Sequence, residues 1–197
     1  LLHALTPSLV LKLFAAACVE QKLILVSQYN SQLTSAAEAL LSLLWPLDWL
    51  NVYIPLLPLA LLDVLGSPVP YLLGVSTASY NEALAQGLVP DDAIVARLDL
   101  GTLHIPEGME EGGDGGSGGG GVPTLPESEM LRHALDTYNR TCPGTVDEFQ
   151  QADLAFPLRE YGMAARAAEV RDSAQRLARH SFASWCAKLL NGYQDHL

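Results

Sequence analysis

The sequence predicts an α/β fold: a layered, mostly parallel β-sheet with helices on both faces, followed by C-terminal helices. Short continuous apolar runs, such as 22–27, are typical of strands that are covered on both faces, as in a parallel sheet. Segments with apolar residues at i, i+3, i+4 and i+7 lie between these runs and predict helices. Because the two kinds of segment alternate with short connections, a layered α/β sheet is favoured.

The first half of the chain supplies every predicted strand. Thr6-Pro7 predicts the start of a first helix, since Thr can cap it and Pro suits its first position. The first strand follows at 22–27, and Asn30 or Ser31 can cap the next helix, which Pro46 stops. The remaining predicted elements are strands at 51–54, 71–75 and 93–98, an edge strand at 102–105, and short helices at 59–65 and 79–86, the last with Gly87 at its end.

A glycine-rich acidic stretch separates this sheet from the helical end of the chain. Eight of the ten residues from 112 to 121 are Gly, and the carboxylates between 107 and 129 have no basic residue among them. This composition is typical of a flexible, solvated insertion. We therefore expect an α/β core at 1–106, the insertion at 107–128 and a helical remainder at 129–197, with helices at 129–138 and 163–193.

The charge argues against several classes of partner. A net charge of −11, from 22 acidic and 11 basic residues, repels phosphate backbones and anionic lipid, so nucleic acid is not an expected partner. The most apolar span, 36–62, is interrupted by acidic residues and prolines, and no transmembrane segment is expected. Three widely spaced cysteines and the lack of a signal-peptide pattern indicate a cytoplasmic protein. The first residue, Leu1, indicates a fragment of a longer chain.

The motifs of nucleotide and metal sites are weak or missing in the sequence. GxGxxG occurs at 113–118, but no strand precedes it and no helix follows, so chance within a glycine tract explains it. The sequence contains no GxxxxGK[ST] phosphate loop and no HExxH pair. We therefore expect neither a cofactor nor a metal.

Ser76 is the one candidate nucleophile. It lies in Gly74-Val75-Ser76-Thr77-Ala78, between a predicted strand and a predicted helix, where a hydrolase nucleophile would sit. Asp99, followed by His104 or His133, completes the chain order of an α/β-hydrolase triad. Ala78 fits the strained turn less well than Gly, so a helix-capping role for Ser76 is favoured and a serine hydrolase is the weaker alternative.

Four segments in this order and spacing resemble the central lobe of a DENN domain (cDENN). They are QKLILVS at 21–27; LTSAAEALLSLLWPLDW at 33–49; YIPLLP, LLD and PVPYLLGV between 53 and 75; and the late helix that begins SFASW at 181–185. The resemblance covers roughly 5–105 and 166–197. One departure lies on the late strand, where Ala96-Arg97-Leu98-Asp99 stands in place of the family's Val-Asp-Leu-Asp.

The resemblance implies a function. DENN proteins are guanine-nucleotide exchange factors for Rab-family small GTPases in vesicle trafficking, and they act in the cytoplasm and at the surface of trafficking membranes. They combine an upstream longin-like lobe, this central lobe and a downstream helical region, and the GTPase docks through its switch regions. Exchange of this kind is a regulator's binding reaction, not side-chain catalysis. An interaction scaffold without exchange activity is the alternative, and it is favoured by Arg97.

Five residues are candidate contacts for the GTPase. Ligands of open α/β sheets tend to lie beyond the carboxyl ends of the strands. Ser27, Gln28 and Asn30 follow the first predicted strand, and Ser76 and Thr77 follow the third. The alternative for each of them is a role in capping the helix that comes next.

Overall fold

The computed structural model describes residues 1–109, 121–142 and 164–191, with side chains from Asp172 onward in the last range. The glycine-rich centre of the predicted insertion lies outside the described residues, as do 143–163 and 192–197. Among the described helices, none combines the length and the apolar character that crossing a bilayer requires.

Five strands form one sheet. They are β1 (Leu23–Ser27), β2 (Val52–Ile54), β3 (Tyr71–Ser76), β4 (Ile94–Arg97) and β5 (Thr102–His104), in the spatial order β2-β3-β1-β4-β5. The first four run parallel, whereas β5 pairs antiparallel with β4. All five residues of β1, the central strand, are buried, as the continuous apolar run predicts. The predicted fold class, a mostly parallel sheet with helices, is therefore confirmed.

Within the described ranges, six helical segments accompany the sheet: α1 (Pro7–Cys18), α2 (Asn30–Leu44), a 3-10 helix (Leu59–Gly66), α3 (Thr77–Ala85), α4 (Ser128–Thr141) and α5 (Ala164–Asn191). The prediction that Asn30 or Ser31 precedes α2 as its cap is wrong, because α2 begins at Asn30 and Tyr29 holds the cap position. α3 begins two residues before the predicted 79, since Ser76 caps it directly at the end of β3. At its other end, Gly87 has φ 67°, and the Gly87 and Leu88 N–H groups close the helix.

The sheet lies between two apolar cores. On one face, Leu25 of β1 and Leu72 of β3 pack with α1 and α2, and α4 and α5 extend this core. On the other face, Ile24 of β1 and Leu73 of β3 pack with the 3-10 helix and α3. Because successive strand residues point to opposite faces, a continuous apolar run can serve both cores.

α5 packs back onto the first core through aromatic side chains. The Phe14 and Phe182 rings meet edge to face with centroids 4.8 Å apart, and the Phe14 and Trp185 centroids are 5.7 Å apart. The Trp185 indole Nε1 donates to the Pro126 carbonyl at 2.6 Å. The predicted late helix around Phe182 and Trp185 therefore docks on the α/β core, as its one-sided apolar pattern requires.

The two ends of the glycine-rich stretch belong to the folded core. Val122 is buried, and its N–H donates to the Met109 carbonyl at 3.0 Å. The expectation of a solvated segment throughout 107–128 is therefore wrong at these ends. Val122 and Leu125 are apolar residues on the far side of the glycines, and they reach the core that contains Leu131.

Gly74 marks a close approach within the second layer. Its carbonyl accepts from the Leu57 N–H at 2.7 Å, and a side-chain carbon at this position would overlap the Pro55 carbonyl oxygen. β3 therefore needs glycine here for the chain after β2 to pack against it.

Candidate functional site

The carboxyl ends of three parallel strands are joined by one carboxylate. Asp99, two residues beyond β4, accepts at Oδ1 from the Ser27 hydroxyl at 2.7 Å. Its Oδ2 accepts from the Gln28 backbone N–H at 2.7 Å and from the Thr77 hydroxyl at 3.3 Å. These bonds fix the turn after β1 and the start of α3 relative to β4, and we call Asp99, Ser27, Gln28 and Thr77 the Asp99 cluster.

The buried half of this cluster involves Gln32 on α2. Ser27 is fully buried, and its Oγ accepts from the Tyr29 N–H at 3.0 Å and lies 2.5 Å from Gln32 Oε1. The Ser27 hydroxyl carries one proton and can donate to only one of two side chains, Asp99 or Gln32. When the Gln32 amide is oriented with its NH₂ group toward Ser27, Gln32 donates to the Ser27 oxygen and the Ser27 hydroxyl donates to Asp99. Gln32 is itself buried, with 1% of its surface exposed. The Ser27 side chain is therefore inaccessible to another protein in this structure, and its hydrogen bonds stabilise the turn after β1.

The exposed half of the site carries the other predicted residues. Gln28 and Asn30 are exposed at the start of α2, whereas Ser76 and Thr77 are half-buried at the start of α3. Leu100, next to Asp99, has 64% of its surface exposed. The carboxyl edge thus presents two amides, a hydroxyl and an apolar side chain on a backbone that Asp99 fixes.

Ser76 acts as the cap of α3. Its Oγ accepts from the Ser79 N–H at 3.1 Å and lies 2.9 Å from the Ser79 hydroxyl. His104 is on β5, three strand spacings or about 14 Å from β3. His133 is on α4, which packs against α1 and α5. The structure does not bring either histidine to Ser76, so no hydrolase triad is assembled.

Arg97, at the position where the sequence departs from the DENN pattern, turns toward α3. Its guanidinium carbon lies 5.8 Å from the centre of the Tyr80 ring, a cation–π geometry. Burial raises the pKa of Tyr80, and the positive charge of Arg97 acts in the opposite direction. The Arg97 side chain is half-buried and supports α3 next to the Asp99 cluster.

The part of the chain that the structure describes contains no candidate metal-binding site. No group of three or more His, Cys, Asp or Glu side chains comes together there in a way that could hold an ion. What the carboxyl edge offers is a polar surface whose backbone is fixed by hydrogen bonds to Asp99.

Sequence reasoning placed Asp99 in a hydrolase triad and did not identify it as the centre of the site. The sequence did contain a signal for this role of Asp99. Ser27 ends the first predicted strand, Ser76 follows the strand at 71–75 and Asp99 follows the strand at 93–98. The carboxyl ends of parallel strands meet at one edge of a sheet. What the pattern did not supply was the strand order, which places β4 beside β1 and brings Asp99 to Ser27.

Comparison with known proteins identifies the family. The sequence model of the DENN (AEX-3) domain matches residues 1–101, which is just over half of the chain and includes the whole Asp99 cluster. The chain is 34% identical over 96 residues to DENN domain-containing protein 1B of Mus musculus, which is 49% of this chain and 12% of that protein. It is 36% identical over 106 residues to DENN domain-containing protein 1C of Mus musculus, covering 54% of this chain and 13% of that protein.

A fungal protein shows a similar match. Elicitor of plant defense protein 1 of Gibberella zeae is 36% identical over 94 residues, which is 48% of this chain and 8% of that protein. The matched region is therefore a small part of each relative's length. On the match to its first 101 residues, the chain belongs to the DENN domain family.

Proposed function

We propose that this chain is the core of a guanine-nucleotide exchange module that binds the switch regions of a Rab-family small GTPase and promotes GDP release in membrane trafficking. The observation that carries this proposal is the DENN match over 1–101, because exchange on Rab GTPases is the activity that membership of this family implies. The location that follows is the cytoplasm and the surface of trafficking membranes.

The carboxyl edge of the sheet is the proposed docking surface. Gln28, Asn30 and Thr77 offer exposed or half-exposed amide and hydroxyl groups, and Leu100 adds an exposed apolar contact. Ser27 and Ser76 support this surface. Ser27 fixes the turn that carries Gln28, and Ser76 caps the helix that carries Thr77. Asp99 is the positioning residue that holds both segments.

Exchange at such a surface depends on differential binding. A factor that binds the nucleotide-free GTPase more tightly than the GDP-bound form shifts the population toward the open nucleotide pocket. Neither a nucleophile nor a metal on the factor is needed for this. Amides and hydroxyls held on a rigid edge suit the task because little conformational entropy is lost when the GTPase docks.

The proposal assigns this chain one part of a larger binding surface. DENN modules combine the central lobe with an upstream longin-like lobe and a downstream helical region. These two parts would supply the remaining contacts with the GTPase. We therefore expect the isolated chain to release GDP weakly and the longer parent protein to do so efficiently.

The test is release of mant-labelled GDP from a panel of Rab GTPases in the presence of the full parent protein. We expect acceleration for at least one Rab, together with tighter binding of the nucleotide-free form than of the GDP-bound form. If no Rab on the panel releases GDP faster, the exchange proposal is wrong.

Arg97 favours a second candidate, an interaction scaffold with the DENN fold and no exchange activity. Its guanidinium is placed over Tyr80 where the family pattern has an acid, so any role of that acid is lost here. A scaffold would bind its GTPase equally well with and without nucleotide and would leave GDP release unchanged. Substituting Arg97→Asp and measuring release decides whether the family's acid matters.

A further inference from the structure

A second surface lies at the opposite, amino end of the sheet. Five apolar side chains are exposed in the segments that lead into β2 and β3, with exposed fractions from 37% to 86%: Trp45, Leu47, Leu50, Val52 and Val69. β2 is an edge strand of the sheet, and Val52 pairs with Tyr71 at the amino end of the β2–β3 ladder. We call these five residues the amino-edge surface. Grouped exposed apolar residues of this kind indicate an interaction site.

The chain segments that carry this surface contain charges of a single sign, although Arg179 of α5 lines a pocket with Ser42 and Leu43 of α2. From 23 to 96 the chain carries six acidic residues and no Lys, Arg or His. Asp48 is exposed within the amino-edge surface, and Glu38 on α2 accepts from the Tyr53 hydroxyl of β2 at 2.7 Å. Lys22, just before this stretch, forms an ion pair with Asp92 at 2.8 Å. An apolar surface with acidic neighbours repels anionic lipid and a second copy of itself, and it complements a basic partner.

The form of the partner is limited by Trp49. Its indole Nε1 donates to the Val52 carbonyl at 3.3 Å, so this backbone acceptor at the start of the edge strand is already engaged. Extension of the sheet by an added strand would compete with that bond. This favours binding through side-chain contacts to Trp45 and Leu50, as when an amphipathic helix docks through its apolar face.

We propose that the amino-edge surface docks an amphipathic segment of a partner protein, in which apolar side chains are flanked by Lys or Arg. Because this surface lies at the opposite end of the strands from Asp99, the segment and a GTPase can be bound at the same time. The proposal is independent of exchange activity, since it rests on the exposure and charge of residues 38–69.

The experiment measures binding of fluorescent synthetic peptides to the full chain by anisotropy. One peptide carries Leu at i, i+3, i+4 and i+7 with Lys at the flanking positions, and its partner peptide has Glu in place of every Lys. We expect the Lys peptide to bind in a salt-dependent manner and the Glu peptide to bind at least about tenfold more weakly.

Matched variants locate the binding. Leu50→Lys and Leu84→Lys add the same charge at two exposed leucines, with 86% and 51% exposure, but Leu84 is on α3, which packs on the opposite face of the sheet from α2. Leu50→Lys should weaken binding of the Lys peptide about tenfold and Leu84→Lys less than about twofold. Asp48→Asn removes an acid without adding bulk, and it should weaken the same peptide even if Leu50→Lys perturbs folding.

Three results would overturn the proposal. The first is that the Lys and Glu peptides bind equally well, or that neither peptide binds. The second is an equal loss in Leu50→Lys and Leu84→Lys, each of which adds one positive charge, because this would indicate general electrostatic attraction. The third is a concentration-dependent dimer that Leu50→Lys abolishes, which would mean that a second copy covers the surface. None of these assays contains a GTPase, so their outcome is separate from that of the exchange assay.

Discussion

At Asp99, a single side chain holds the ends of three segments that are far apart in sequence. Its two oxygens accept from Ser27, Gln28 and Thr77, and hydrogen bonds to a charged acceptor are the stronger kind. The bonded groups belong to the ends of β1 and β3, so the local geometry of the proposed docking surface depends on one carboxylate.

Substituting Asp99→Asn should lower the free energy of unfolding by about 1–3 kcal/mol. The amide keeps the shape of the carboxylate but turns an NH₂ donor toward groups that are donors themselves. Urea denaturation measures the change, and Asp91→Asn, at an exposed acid before the other end of β4, should stay within about 0.5 kcal/mol of wild type. Equal effects of the two substitutions would show that the Asp99 bonds are not stabilising.

Gly74 provides a second test at the residue scale. Gly74→Ala should destabilise the fold by about 1–3 kcal/mol, because the new methyl group overlaps the Pro55 carbonyl oxygen and forces β3 and the chain after β2 apart. Gly66→Ala is the matched control, since nothing lies within 4 Å of the added carbon at that position. The control should be neutral or slightly stabilising in the same urea measurement, and a loss as large as that of Gly74→Ala would contradict the packing argument.

At the scale of elements, aromatic contacts help to attach α5 to the α/β core. Phe182→Ala should lower the free energy of unfolding by about 3–5 kcal/mol, because a fully buried ring against Phe14 is lost. Leu189→Ala on the same helix, with 49% of the side chain exposed, should cost less than about 0.5 kcal/mol. Hydrogen exchange should show faster opening of α5 amides in Phe182→Ala only, and unchanged protection would mean that this contact does not hold the helix.

Most elements could be predicted because their signals are local. The apolar run at β1, the period of α2 and the proline that begins α1 are each local to the element they specify. The start of α3 was within reach of the local pattern, since Ser76 caps it through Ser79. The buried position of Val122 depended on contacts with distant residues, and local patterns do not report those. The same limit applied to the site, since the pairing of β4 with β1 that brings Asp99 to Ser27 is a property of the whole sheet.

At the scale of the whole molecule, the buried titratable groups favour neutral pH over alkaline pH. Burial, with a smaller contribution from Cys186, raises the pKa of Cys18 from its ordinary 9.0 to about 12. Burial likewise raises the pKa of Tyr71 above its ordinary value, and Asp92 adds to the shift. The folded state therefore binds protons that the unfolded state releases at alkaline pH.

The free energy of unfolding should consequently be constant below about pH 8 with respect to these groups and fall as the pH rises from about 9 toward 12. Urea midpoints measured across this range test the direction. Cys18→Ala should make the alkaline fall shallower than in wild type, because one of the protons involved is no longer present. A midpoint that rises with pH, or an unchanged slope in Cys18→Ala, would contradict the assignment.

The central claim is that the carboxyl edge of the sheet binds a Rab-family GTPase and opens its nucleotide pocket. The most direct test compares GDP release by the full parent protein carrying Gln28→Arg or Gln86→Arg, two exposed glutamines of which only Gln28 belongs to the Asp99 cluster. Gln28→Arg should slow release by about tenfold or more, whereas Gln86→Arg should stay within about twofold of wild type. Undiminished release by Gln28→Arg, or no release by the unsubstituted protein from any Rab, would contradict the claim.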